Sequence, residues 1–322
     1  MVKKVNLWMA FLSMIAVALT MVFLVNGVSA QGFPKKPLQI VVPWAAGGQT
    51  DMITRLAAHQ LTKFLGQPVV VLNKPGGAIA VGTDFVMKEP ADGYTLVSAG
   101  ATLFIAPKIQ KMPYTVPDLI GLGELSESKC AILVRKDAPW SNLKEFVEDA
   151  KKRPGDIYYG IPGTGNVQTV WWESLKEQAG INIVSVPYSG DAPIIAALLG
   201  GDVKAGFIDM PLVLPHVKAG TLKALAISDR DEDSPGVMTF KDQGFEGKFV
   251  MWRALSVRTG TPKKVYAVLE DAFKKMLIEK SYADALRKMG SIPGTMTGEK
   301  FVNFVKNEDK LYAEMLQKIP KK

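Results

Sequence analysis

Apolar positions divide the chain into short β-rich runs separated by segments of helical period. Leu38 to Val42 is almost continuously apolar. After Ala45-Ala46-Gly47-Gly48, the residues Met52, Ile53, Leu56, Ala57, Leu61, Phe64 and Leu65 return on one helical face. Strand, tight loop and helix are predicted, and Pro68 to Leu72 adds a second strand, parallel to the first through a right-handed crossover. A short helix near Asp84 to Lys88 ends at Pro90, and Tyr94 to Ala99 is the next strand. Ser98, Gly100, Ala101 and Thr102 lie at its exit, where open α/β sheets bind ligands.

The alternation continues. Cys130 to Arg135 reads as a strand, Leu143 to Lys152 as a helix capped by Ser141, Tyr158 to Ile161 as a strand, and Val167 to Ala179 as a helix. Strand Ile183 to Val186, helix Pro193 to Leu199, strand Val203 to Ile208, helix Leu212 to Lys218 and strand Leu222 to Ser228 follow. Strands regularly separated by helices predict an α/β fold with mainly parallel sheets. After a turn-rich stretch from Asp229 to Gly247, Ala254 to Arg258 repeats the pattern of Ala131 to Arg135, so these two strands are expected to be the crossings between two lobes. The C-terminal region is helical, and its last helix carries a core-facing stripe of Phe301, Phe304, Val305, Leu311, Tyr312 and Met315.

Two segments place glycine and hydroxyl or amide residues between a strand and a helix: Pro43 to Thr50 and Pro162 to Thr169. A helix entered this way points unpaired N–H groups and the positive end of its dipole at the loop, which suits a carboxylate or phosphate. Thr50 or Asp51 is expected to cap the first helix. If the two helices face one cleft, backbone N–H groups with Thr164, Asn166, Gln168 and Thr169 hold an anion without an arginine. On these residues alone, two tight turns with capped helices remain an equal reading.

The N-terminus changes the setting. Lys3 and Lys4, an apolar run from Leu7 to Val25, and Val28-Ser29-Ala30 before Gln31 have the three parts of a secretory signal, with cleavage expected after Ala30. A retained membrane anchor is the competing reading. Cleavage removes two lysines from a formal charge of +8. The rest is mildly basic with interspersed acids, so nucleic-acid binding is not expected. The lone Cys130 has no disulfide partner and reads as a buried small hydrophobe.

Catalytic motifs are missing. There is no G-x-S-x-G elbow, His59 and His216 stand outside any triad context, and no Cys or His spacing suggests a metal. Gln168 stands where a dinucleotide fingerprint needs its third glycine, and neither loop is followed by a P-loop lysine. No catalytic residue, cofactor or metal is expected; a secreted α/β enzyme for a small anion is kept as the alternative, as is a periplasmic sensor.

The stretches FPKKPLQIVVPWAAGGQTD, LGQPVVVLNKPGG, DGYTL, VPYSGDAP, LLGGDVKAGF and LPHVKAGTLKALAIS occur in order along nearly the whole mature chain. Together they resemble the periplasmic solute receptors of tripartite tricarboxylate transporters, the TctC or Bug-type binding proteins. The resemblance implies a two-lobed, type II-like periplasmic-binding-protein fold, each lobe a mainly parallel sheet flanked by helices. One lobe would comprise residues 31–129 and 249–322, the other 130–248. It further implies a monomeric receptor that binds a small carboxylate in the interlobe cleft and delivers it to membrane permease subunits. Implied ligand residues are Trp44, Ala45, Ala46, Gly47, Gly48 and Thr50 in the first loop and Gly163, Thr164, Gly165, Asn166, Gln168 and Thr169 in the second. Ser98, Gly100, Ala101, Thr102, Tyr188 and Asp209 complete the set. Trp44, Val167 and Trp171 are expected to form an apolar strip, and Asp209 to accept a hydrogen bond. A monocarboxylate or an amino- or hydroxy-substituted acid then fits better than citrate.

Overall fold

The structure, a computed structural model, describes residues 32–230, 234–246 and 250–318, so the expected cleavage site at Ala30 lies outside the described residues. Strand β1 (Leu38–Val42) is buried almost throughout, as a strand paired on both edges must be. It runs parallel to β2 (Val69–Asn73) and β3 (Thr95–Gly100). Helix α1 (Gln49–Leu65) makes the first crossover and buries Ile53, Ala57, Leu61 and Leu65. Helix α2 (Ala80–Lys88) starts earlier than the apolar pattern suggests, and α3 (Thr102–Ile109) follows β3 directly. The first five residues of α3 are buried, so it shows no polar face for periodicity to detect.

The centre of the fold is β4 (Leu119–Arg135), a strand of 17 residues. Its first part, Leu119 to Lys129, pairs antiparallel with β9 (Val250–Arg258), which pairs antiparallel with β3. Its last part, Cys130 to Arg135, pairs with β7 (Ala205–Asp209) and β8 (Leu222–Ile227). Parallel to β7 lies β5 (Tyr158–Ile161), and parallel to β5 lies β6 (Val184–Pro187). The strand order is β2-β1-β3-β9-β4-β7-β5-β6, and the short β10 (Ile292–Pro293) also pairs with β4. Each sheet thus has a parallel trio, and β4 belongs to both.

The two strands expected to cross between lobes do not themselves cross. Ala131 to Arg135 pair within the second sheet, while Ala254 to Arg258 pair within the first. The chain passes between the sheets a few residues earlier on each strand. There Ser126, Glu127, Ser128 and Lys129 stand in register with Arg253, Trp252, Met251 and Val250.

Helices α4 (Leu143–Lys152), α5 (Val167–Ala179), α6 (Asp191–Gly200) and α7 (Met210–Lys218) pack on the second sheet's side of the chain order, and α8 (Lys263–Ile278), α9 (Lys280–Lys288) and α10 (Gly298–Lys318) close the chain. The cap of α4 is Asn142, not Ser141: Asn142 Oδ1 accepts the Glu145 N–H at 2.9 Å, while the Ser141 N–H donates to Glu145 Oε2 at 2.7 Å. Trp171 and Trp172 are core residues. Their ring centroids lie 5.0 Å from Phe207 and 4.4 Å from Tyr159, respectively, and Val167 is buried with them. Phe301 and Tyr312 of α10 are also buried, with Phe304, Val305 and Met315 packed beside them.

Candidate functional site

The first loop is organised by Asp51. Its Oδ2 accepts the Gly47 N–H at 3.0 Å, its Oδ1 accepts from Asn73 Nδ2 at 2.9 Å, and Arg55 pairs with it at 3.0 Å. Asn73 also donates to the Trp44 carbonyl. Burial alone would raise the Asp51 pKa, but Arg55, the Gly47 N–H and Asn73 outweigh it and hold the carboxyl below its ordinary value. This corrects the capping expectation. Gly48 is the N-cap of α1 and supplies no side chain, while Asp51 reaches back to the loop. Among the described residues no protein acceptor engages the backbone N–H groups of Gly48, Gln49 or Thr50. They are the orphan donors of the α1 N-terminus.

These donors face a small cavity between the two sheets, of about 30 Å³. Five helices begin around it. Gly48 and Gln49 open α1, Ala101 and Thr102 open α3, Asn166 and Gln168 flank the start of α5, Asp191 begins α6, and Asp209 precedes α7. Their dipoles all favour negative charge here. Gly100 is obligatory at this wall, because a Cβ there would lie 1.8 Å from the Trp252 carbonyl oxygen.

Of the residues singled out in the sequence, Trp44, Ala45, Gly48, Thr50, Gly100, Ala101, Thr102, Asn166, Gln168 and Asp209 line this cavity. The others do not. Ala46 and Gly47 form the exposed outer turn of the first loop. Ser98 is buried beneath the site, bonded to Thr54 at 2.6 Å, and Tyr188 packs with the core of the second sheet. Gly163, Thr164 and Gly165 meet the opposite wall instead: a Cβ on Gly163 would lie 2.9 Å from Ala78, and Thr164 Oγ1 donates to Gln110 Oε1 at 3.4 Å. Thr169 donates to the Gly163 carbonyl, and Asn166 Oδ1 caps α5 through the Gln168 N–H at 3.0 Å. Asn166 thus occupies the Gln168 and Thr169 N–H groups at the start of α5, whereas those of Gly48 to Thr50 at the start of α1 have no such partner, so the two helix ends do not offer equal sets of donors. The apolar strip is also absent, because Val167 and Trp171 are in the core and Trp44 alone of the three reaches the cavity.

Charged residues at the site went largely unread in the sequence. Arg253, 2% exposed, donates to Asp209, to Ser128 Oγ at 2.9 Å and to Thr50 Oγ1 at 3.2 Å. The site therefore contains an arginine, contrary to expectation, but one already paired. Asp209 also accepts from Ser128 Oγ at 2.6 Å and from the Cys130 thiol, so it has little capacity left for a ligand. Burial and the Asp209 charge push the Cys130 thiol well above its ordinary pKa. Asp191 differs. Among the described residues it accepts from Gln168 Nε2 at 3.1 Å; burial first, and then Asp209, raise its pKa to about 7 against the opposing effects of Gln168 and Arg253. Gln49 is 1% exposed, donates to Ser291 Oγ at 2.9 Å, and leaves its Oε1 without a partner. A cation inside the apolar run Met251-Trp252-Arg253-Ala254-Leu255 was the available signal for a buried ion pair. The Gly190-Asp191 step before a helix was the signal for Asp191.

Helix N-termini gathered around a cavity between two sheets that share one long strand are the architecture of two-lobed periplasmic binding proteins. The family model for the tripartite tricarboxylate transporter family receptor, TctC, matches residues 53–320, and the chain belongs to that family. It is 31% identical to protein BugT of Bordetella pertussis over 90% of this chain and 91% of that protein. The solved structure of the periplasmic binding protein BugD superposes with a TM-score of 0.83 at 28% identity, covering 90% of this chain and all of the other. MatC from Rhodopseudomonas palustris with bound malate gives a TM-score of 0.82 at 26% identity, covering 88% of this chain and 100% of that one. The protein is a solute receptor and not an enzyme.

Proposed function

We propose that the protein is exported to the periplasm, binds a small organic carboxylate in the cavity between its sheets, and delivers it as a monomer to the membrane subunits of a tripartite transporter. The observation that carries this reading is the row of unengaged N–H groups from Gly48 to Thr50 at the start of α1, turned into a cavity with walls from both sheets. The malate bound by MatC is a small carboxylate and supports the same ligand class here. Among the described residues no helix is long and apolar enough to cross a membrane. The lobes are residues 31–129 with 249–322, and 130–248, connected where β4 and β9 pass between the sheets.

Native mass spectrometry of protein purified from a periplasmic extract, followed by calorimetry with the released compound, tests this reading. A small carboxylate should be released and should rebind with one site per chain. If nothing is released, and a panel of mono- and dicarboxylates gives no heat, the reading is wrong.

A further inference from the structure

The geometry points to a second subsite in the same cavity, in which Asp191 receives a protonated amine of the ligand, so that the solute is an amino acid or another amino-substituted carboxylate. This rests on the reading that the cavity binds a carboxylate. Three carboxylates line the cavity, those of Asp51, Asp191 and Asp209. Asp51 is matched by Arg55 and Asp209 by Arg253. Asp191 has no salt-bridge partner among the described residues; its bond from Gln168 Nε2 is neutral, and that same NH2 group also donates to the Phe207 carbonyl.

The groups facing Asp191 are Asp209 from β7, Arg253 from β9 and Cys130 from β4, with Asp51 at the wall formed by α1. Arg253 is committed to Asp209, and the Cys130 thiol is held protonated. A ligand cation is the missing charge. The carboxylate of the same ligand would face the N–H groups of Gly48 to Thr50, and Gln49, which lines the same cavity, carries in Oε1 a buried acceptor without a partner, suited to a second N–H of the amine. Trp44 borders this place: the Ala45 N–H donates to the Ser189 carbonyl at 3.1 Å, and the Cα of Gly190 presents its face to Trp44 and Ala45. A second carboxylate on the ligand would instead stand against Asp191 and Asp209.

The full-length mature protein is titrated calorimetrically with ω-amino acids from glycine to 6-aminohexanoate, with α-amino acids, and with unsubstituted mono- and dicarboxylates of the same chain lengths. An amino-substituted acid should bind at least about tenfold tighter than its dicarboxylate and plain counterparts. Asp191→Asn should abolish that preference. Because the ammonium requires ionised Asp191, its affinity in the unaltered protein should fall by about thirtyfold from pH 8.5 to pH 5.5, and binding at pH 7 should release about half a proton, read from two buffers of different ionisation enthalpy. Preferred binding of dicarboxylates or plain acids, or amine binding without proton release, overturns the amine subsite and leaves the carboxylate receptor standing. An absence of binding by every compound overturns both.

Discussion

Arg253 on β9 and Asp209 at the end of β7 form a buried ion pair that ties the first sheet to the second. Ser128 bridges it, accepting from Arg253 Nη1 at 2.9 Å and donating to Asp209 Oδ1 at 2.6 Å. Removing one partner leaves the other charge buried and unmatched, a loss of about 3 to 5 kcal/mol. Arg253→Met should therefore lower the urea midpoint strongly. Adding Asp209→Leu should recover most of the loss, since both charges are then gone. A double-mutant cycle by urea titration checks this, and an Arg253→Met protein as stable as the original would show the pair to be unimportant.

Neighbouring glycines in the first loop should respond differently to proline. Gly47 has φ of +85°, which proline cannot adopt, and its N–H is bound by Asp51, so Gly47→Pro should disrupt the loop itself. Gly48 has φ of −75°, compatible with proline, and its N–H faces the cavity without a protein acceptor. Gly48→Pro should leave the circular dichroism spectrum and thermal midpoint nearly unchanged. Its affinity for the copurifying carboxylate should fall by about tenfold or more, the loss of one charge-assisted hydrogen bond. Unchanged affinity in calorimetry would exclude this donor from the ligand site.

How much was legible in the sequence depended on whether a signal was local. The α1 and α5 boundaries and the burial of Phe301 and Tyr312 on the α10 stripe follow from periodicity and glycine placement, which act within a few residues. The first half of β4 was not readable, because Gly121, Gly123, Glu124, Ser126 and Ser128 become strand residues only through pairing with β9, more than a hundred residues away. Site residues divide in the same way. Gly48 and Thr50 follow from a loop pattern, whereas Arg253 joins the site through Asp209 and Thr50, contacts that no spacing encodes.

A cavity of about 30 Å³ walled by residues of both sheets admits a carboxylic acid only when those walls separate. The walls touch through the Ala45 N–H to the Ser189 carbonyl and through Thr164 to Gln110, all bonds at the surface of contact between the sheets' loops. Opening must break these and bend the paired segments Ser126 to Lys129 and Val250 to Arg253. Small-angle scattering of the ligand-free protein should give a radius of gyration larger than that calculated from this structure, and saturating ligand should reduce it. Identical profiles with and without a ligand that binds by calorimetry would rule out hinge closure.

Two carboxylates at the site should give opposite signs of pH-dependent stability. Asp51 is held below its ordinary pKa, so its contribution is present above the unfolded value near 4 and is lost as pH falls through the lower folded value. Asp191 is raised to about 7, so it binds its proton more tightly when folded; stability is greatest below the unfolded pKa and declines as pH rises toward 7. Asp191→Asn removes the second effect only. Without ligand, the variant should match the original protein near pH 4 and be more stable by a few kcal/mol at pH 8. Arg55→Ala weakens the hold on Asp51 and should reduce the advantage of pH 7 over pH 4, by about 1 kcal/mol because the arginine side chain is half exposed. Urea titrations of both variants across this range decide the signs, and an Asp191→Asn protein no more stable than the original at pH 8 would show that Asp191 ionises there without cost.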